Sequence, residues 1–307
     1  MAAPTNTYLT TAAIGNREDL TDIISRISPT DTPFMSMCST GKATATLHEF
    51  QTQDLATAAN NEQAEGDDAV AQAAVPTVRL SNRTQISSKT ASVAGSQEAV
   101  DSAGRKSEMA YQMGLKSLEL KNDMEVGLTQ NAVSATSPRR SRGLIGWVVD
   151  NVDAGVGYVA ASYTANTAQT DGTQILFTES RLKNVLQKVY TAGGDPNTIM
   201  MSALAKQTFS TFTGNQTRMS DSDDMKLVAA IDVYVSDFGR LKAVVNRRQR
   251  ARDVFVLQSD KWEIAYLRRF RSWDLAKTGD SDRKQILAEY TLEATNPKAN
   301  GAVYDCL

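Results

Sequence analysis

The spacing of apolar residues changes character several times along the chain. Leu20, Ile23, Ile24 and Ile27 share one face of a short helix. Asn16 caps it, Arg17-Glu18-Asp19 fill its first turn, and Pro29 ends it before the turn Thr30-Asp31-Thr32-Pro33. From Leu47 to Gln53 the side chains alternate, with His48, Phe50 and Thr52 on one face, which predicts a strand. Val78 to Val93 also has strand character, and the stretch from Asn60 to Asp68 between them reads as a loop tip. Together they predict a long two-stranded finger with few apolar residues, which needs a surface to lie on.

The strongest element is a helix over Ser96 to Asn131, with no proline between Pro76 and Pro138. As one rod it would measure roughly 50 Å. Met109, Met113, Leu120, Met124 and Leu128 fall on one side of it, and Tyr111, Leu115, Leu118 and Val126 on nearly the opposite side. Two apolar stripes predict a strut held between layers. A second helix is expected from about Thr178 to Tyr190, ended by Gly193-Gly194-Asp195-Pro196. Ile199–Met201 reads as a buried strand, and Ser202 caps a third helix running to about Phe212. Strands follow at Asp232–Ser236, Leu241–Asn246, Asp253–Gln258, Lys261–Arg268, Ile286–Ala294 and Ala302–Cys306. The plan is α+β.

Composition narrows the function more by exclusion than by assignment. The 307 residues carry a net charge of −2, with 41% hydrophobic and 22% charged residues, so a folded core of one or two lobes is expected. A balanced charge argues against a dedicated nucleic-acid binder. One histidine, His48, excludes multi-histidine metal sites, and Cys38 and Cys306 read as free thiols in a reducing cytoplasm. Met1 to Asn16 has neither a basic start nor a long apolar run, so no secretory leader is expected, and no window is long enough to cross a membrane.

No catalytic motif is complete in the sequence. Gly41-Lys42 lacks the rest of a phosphate loop, and Gly155-x-Gly157 lacks the third glycine of a dinucleotide fingerprint and reads as a turn. His48 has no nucleophile arranged near it in sequence. Asp221-Ser222-Asp223-Asp224 lacks the glycine and terminal glutamate of a calcium loop. No cofactor, metal or enzymatic activity is expected. Charge, by contrast, is segregated. Residues 43–78 hold six acids (Glu49, Asp54, Glu62, Glu65, Asp67 and Asp68) and no Lys or Arg. Arginines cluster at Arg139-Arg140-Arg142, at Arg247-Arg248-Arg250-Arg252 and at Arg268-Arg269-Arg271. Residues 240–271 hold ten basic and three acidic side chains, a local +7 that suits either nucleic acid or an acidic protein surface.

The order of elements resembles the major capsid proteins of tailed bacteriophages, the Hong Kong 97-like fold. Two blocks resemble one group of them closely: Gly15-Asn16-Arg17-Glu18-Asp19-Leu20-Thr21-Asp22-Ile23-Ile24 with Ile27 to Ser36, and Ala294 to Gly301. The resemblance implies an N-terminal arm (1–40), an extended loop (41–95), the spine helix of a peripheral domain (96–137), a mainly axial domain (138–250) and strands returning to the peripheral domain (251–307). It implies a structural protein that forms hexamers and pentamers in an icosahedral shell around packaged dsDNA, a virion component assembled in the host cytoplasm. Expected partners are a portal, a separate scaffolding protein and possibly a decoration protein, with no membrane. A lysine for loop cross-linking, used by some members, is missing between Lys42 and Lys89. Glu62, Glu65, Asp67 and Asp68 are then candidates to meet Arg247, Arg248, Arg250, Arg268, Arg269 and Arg271 of another subunit. The alternatives are a DNA-binding protein using the arginine clusters and a cargo-enclosing bacterial shell of the same fold.

Overall fold

The computed structural model describes residues 29–66, 68–69, 71–100, 106–212 and 233–307. The helix expected over residues 16–27 and the acidic run at 221–224 lie outside them. Pro33–Met37 forms a short helix, α1, whose proline sits in the first turn where its missing N–H costs nothing. Strand β1 (Ser39–Lys42) follows, then β2 (Leu47–Thr52) and β3 (Val78–Arg83), which pair antiparallel from Leu47 opposite Arg83 to Thr52 opposite Val78. These two strands are the base of the finger.

The second strand does not run on through the finger as expected. It breaks at buried Thr84, whose hydroxyl donates to Glu289, and β4 (Gln85–Ala94) turns away to pair with a different strand. The long helix is also shorter than its composition predicts. A five-residue helix α2 (Gly95–Ala99) ends at Val100, which is extended, and α3 (Glu108–Thr129) starts afresh. Ser107 caps α3 by accepting from the Ala110 N–H, so a good cap overrides the continuous run of helix formers. Its 22 residues span about 33 Å. Met109, Leu120, Met124 and Leu128 are buried, whereas Tyr111, Leu115, Leu118 and Val126 on the other stripe are only half-buried within one chain.

The remaining elements are short strands β5 (Ala135–Thr136), β6 (Arg139–Arg140) and β7 (Asn151–Asp153), helix α4 (Glu179–Thr191), β8 (Thr198–Met201), helix α5 (Ala203–Phe209), β9 (Val233–Ser236), β10 (Gly239–Val245), β11 (Val254–Leu257), β12 (Trp262–Asp274), β13 (Ser281–Ala294) and β14 (Gly301–Val303). They form two main sheets. One has the order β1-β12-β13-β4, with α3 packed on β4 and β13. The other has the order β7-β14-β11-β8-β10-β9, with α4 against β7 and β14. Of the strands after residue 250, β12 and β13 enter the four-stranded sheet and β11 and β14 the six-stranded one.

Alternation along β8 and β11 explains how the halves join. Ile199, Met201, Val254 and Val256 point into a core under α4 and α5. Met200, Phe255 and Leu257 point the other way, into the core shared with α3, Trp147, Trp262 and Tyr304. A strand buried on both faces reads as an unbroken apolar run, which Val254-Phe255-Val256-Leu257 is. The closing segment fits between these layers. Asn300 Oδ1 accepts from Trp262 Nε1 and from the Gln258 N–H, both at 2.9 Å, and a Cβ on Gly301 would lie 2.6 Å from Val185 Cγ1.

Candidate functional site

The finger is held at its base. His48 Nε2 lies 2.7 Å from Glu293 Oε2, and the Phe50 ring packs 5.6 Å from Trp147. Buried Asn82 stitches β3 to the body: its Nδ2 donates to Ser141 Oγ and to the carbonyls of Arg142 and Leu292, and its Oδ1 accepts from the Arg142 N–H. Beyond Thr52 and Val78 the chain has no strand, and almost every described residue is exposed. Leu55 is 95% exposed, and Asp54 pairs with Lys298 at 2.5 Å. Glu62 and Glu65 stand in solvent, as does Asp68, and Asp67 lies outside the described residues. The structure therefore has an acidic segment reaching from a rigid base, with no core of its own.

The arginine clusters divide into engaged and free members. Arg139 and Arg268 flank one buried carboxylate, Glu289, at 2.8 and 2.6 Å. Burial pushes that carboxyl up, but Arg268, Thr84 and Arg139 together hold it below its ordinary range. Arg142 is buried over the Trp147 ring and donates to Tyr163 O and Asn166 Oδ1; burial lowers its guanidinium to about 10. Arg250 takes Asp171 at 2.6 Å, and Arg252 takes Asp305 at 2.5 Å. Arg248 donates to Pro29 O at 3.0 Å. Arg247, Arg269 and Arg271 are exposed and have no ion-pair partner among the described residues. Arg269 and Arg271 sit on the outer half of β12. There the partner strand β1 has already ended, because its pairing stops at Lys42 opposite Tyr266. Among the described residues, one edge of that half-strand is open.

A third feature carries no sequence signal. Glu125, on α3, is fully buried at 0% exposure. It accepts from the Phe34 and Met35 N–H groups at 2.8 and 2.9 Å and from Asn246 Nδ2 at 2.7 Å. Burial pushes its carboxyl up against the pull of those donors. It fixes where the N-terminal segment leaves the body, between the long helix and the 246–253 turn. A glutamate inside a helix rich in Glu and Lys looks like any solvated one, so only the tertiary contacts reveal it.

Gly155 and Gly157 have a structural role. Both belong to a turn; a Cβ on Gly155 would lie 1.9 Å from Thr173 O. Among the described residues no cluster of three or more His, Cys, Asp or Glu is placed to hold a metal, and no helix is long and apolar enough to cross a membrane.

Known proteins resemble this chain over nearly its whole length. The family model for the SU10 major capsid protein matches residues 3–306. The major capsid protein of Escherichia phage Phieco32 is 28% identical over 333 aligned positions, covering 94% of each chain. The Cyanophage A-1(L) capsid asymmetric unit superposes with a TM-score of 0.68 at 11% identity, covering 97% of this chain and 98% of that one. The capsid of a native GTA particle gives 0.64 at 11% identity over 96% of both. At such identities the solved structures speak for the fold alone.

Proposed function

Because the chain belongs to the SU10 major capsid protein family, and is a structural protein of a phage capsid shell, we propose that its copies join through the acidic finger of one and the free arginines of the next. The α+β fold is Hong Kong 97-like, and the capsid is its place in the virion. Within that shell, hexamers and pentamers close around packaged dsDNA, with a portal and a separate scaffolding protein as partners and assembly in the host cytoplasm.

One observation carries the contact: a segment with no core and five acids stands on a rigid base, while Arg247, Arg269 and Arg271 stand exposed, with no ion-pair partner among the described residues. The other candidates, Arg248, Arg250 and Arg268, already serve their own chain. Opposite charge sets partner and register more than affinity. Exposed pairs contribute only about 0–1 kcal/mol each, so no single substitution abolishes assembly. Reversing Glu62, Glu65, Asp67 and Asp68 together to lysine weakens it, and reversing Arg247, Arg269 and Arg271 to glutamate in the same chain restores part of the yield. Light scattering of assembling protein at fixed salt reads both. Wild-type assembly by the four-lysine variant, or no restoration by the double set, refutes the docking. In that case the free arginines belong to the DNA-facing surface, and the salt slope of DNA binding falls when they are removed.

A further inference from the structure

Six buried polar side-chain atoms without a hydrogen-bond partner among the described residues belong to one linked group: Tyr158 Oη, Gln169 Oε1, Gln249 Oε1, Arg252 Nε and both carboxylate oxygens of Asp253. The links are direct. Gln169 Nε2 donates to Asp171, Asp171 accepts from Arg250, Arg250 Nε lies 3.3 Å from Asp253, and Gln249 Nε2 donates to the Asp253 carbonyl. The Tyr158 ring stacks on Tyr304 with centroids 5.5 Å apart. The group joins three pieces of chain: the loop between β7 and α4, the turn before β11, and the C-terminal segment.

Charge does not balance here. Three carboxylates, Asp171, Asp253 and Asp305, meet two guanidiniums, Arg250 and Arg252. Asp305 is fully engaged: it accepts from the Gly155 and Gly172 N–H groups and from Arg252, on a backbone with φ of 58°, a conformation costly for a residue with a Cβ. Asp171 receives both arginines. Asp253 is left over. It is 0% exposed, accepts no hydrogen bond, and its nearest cation gives its better contact to Asp171. A buried carboxylate in that position is far costlier charged than neutral.

We infer that Asp253 holds a proton while the loop is closed on the body, and that losing it loosens the loop, making this group a pH-dependent clasp. The clasp holds the loop at both ends, through Asp305 at Gly155 and through Asp305 and Arg252 at Gly172. The loop carries Val156, 82% exposed, and Val159, with Leu176 just beyond it, so the clasp sets the position of an apolar surface. The groups facing Asp253 are Arg250 and Arg252 from its own turn, Asp171 and Tyr158 from the loop, and Asp305, Tyr304 and Cys306 from the C-terminal segment. Burial pushes the Asp253 carboxyl up to about 7; Arg250 and Arg252 oppose this, and Asp171 and Asp305 assist it. The sign follows. The closed state binds the proton more tightly than the open one, so closure is favoured at low pH and weakens as pH rises toward 7.

Hydrogen exchange by mass spectrometry on the full chain, corrected for intrinsic rates, tests this from pH 5 to 8.5. In the wild type the opening of peptides spanning 155–172 increases by up to about tenfold per pH unit between roughly 5 and 7, then levels off. Asp253→Asn removes the dependence. Asp171→Asn frees Arg250 for Asp253 and moves the step at least one unit lower. A flat wild-type profile, or an Asp253→Asn profile that keeps the wild-type step, overturns the clasp. If Asp253→Asn does not fold, an unchanged midpoint in Asp171→Asn overturns it.

Discussion

Replacing Glu125 with alanine tests whether one buried carboxylate fixes the exit of the N-terminal segment. The change strands three donors: the Phe34 and Met35 N–H groups and Asn246 Nδ2, which now donate over 2.7 to 2.9 Å. A buried donor left unsatisfied costs about 1–3 kcal/mol. Against that, the variant no longer holds a desolvated carboxyl, which returns part of the cost. The net expectation is a loss of about 3 kcal/mol, in the range seen when one partner of a buried polar cluster is removed. Glu125→Gln keeps an acceptor and the shape, and loses about half as much. Urea unfolding of the unassembled chain reads the difference. Trp262 is a local probe, because its ring meets the Phe34 ring edge-on at 5.9 Å. Asn246→Ala shares the same carboxylate, so its effect and that of Glu125→Ala do not add, and the cycle shows a coupling of at least about 1 kcal/mol. A loss under about 1 kcal/mol for Glu125→Ala, or strict additivity with Asn246→Ala, refutes the clamp.

Glu289 is held below its ordinary range once the pull of its partners outweighs burial. It therefore contributes stability above the ordinary glutamate pKa of 4.5 that is lost as pH falls, and Glu289→Gln flattens the acid limb of a pH–stability curve. Cys38 and Cys306 are buried, and burial pushes both thiols up, Cys306 to about 12, so a thiol reagent labels neither in the native chain at pH 8 and both after unfolding; fast native labelling contradicts the burial. The finger has no lysine between Lys42 and Lys89 to attack an asparagine, so shells run on denaturing gels as one band near 33.3 kDa, and a ladder that survives reduction contradicts this.

What the sequence disclosed is the part written in local periodicity. The alternation at Leu47–Thr52, the buried face of Leu182, Val185, Leu186 and Val189, and the Ser202 cap appear in the structure where the pattern puts them, whereas Tyr190, expected on that same face, is exposed. Helix propensity hid the break before Ser107, because a cap inside a run of helix formers looks like one more polar residue. The split of the second finger strand at Thr84 depends on Glu289, 205 residues away, which no local pattern reports. The arginine clusters were visible as charge, but not which members are spent inside the chain: Arg250 and Arg268 differ from Arg247 and Arg269 only in what stands opposite them. Glu125 and Asp253 were not legible at all, since each is an ordinary acidic residue until the fold buries it.

If copies of this chain join through the finger, the contact is visible in the assembled particle. Electron microscopy of particles assembled from the purified chain, reconstructed far enough to trace residues 53–77, tests it most directly. The expected result is closed icosahedral shells in which the acids of each finger lie within about 10 Å, a Debye length at 0.1 M salt, of Arg247, Arg269 or Arg271 of a neighbouring copy. A compact monomer at every salt and pH, or shells in which the finger folds back on its own chain, contradicts it.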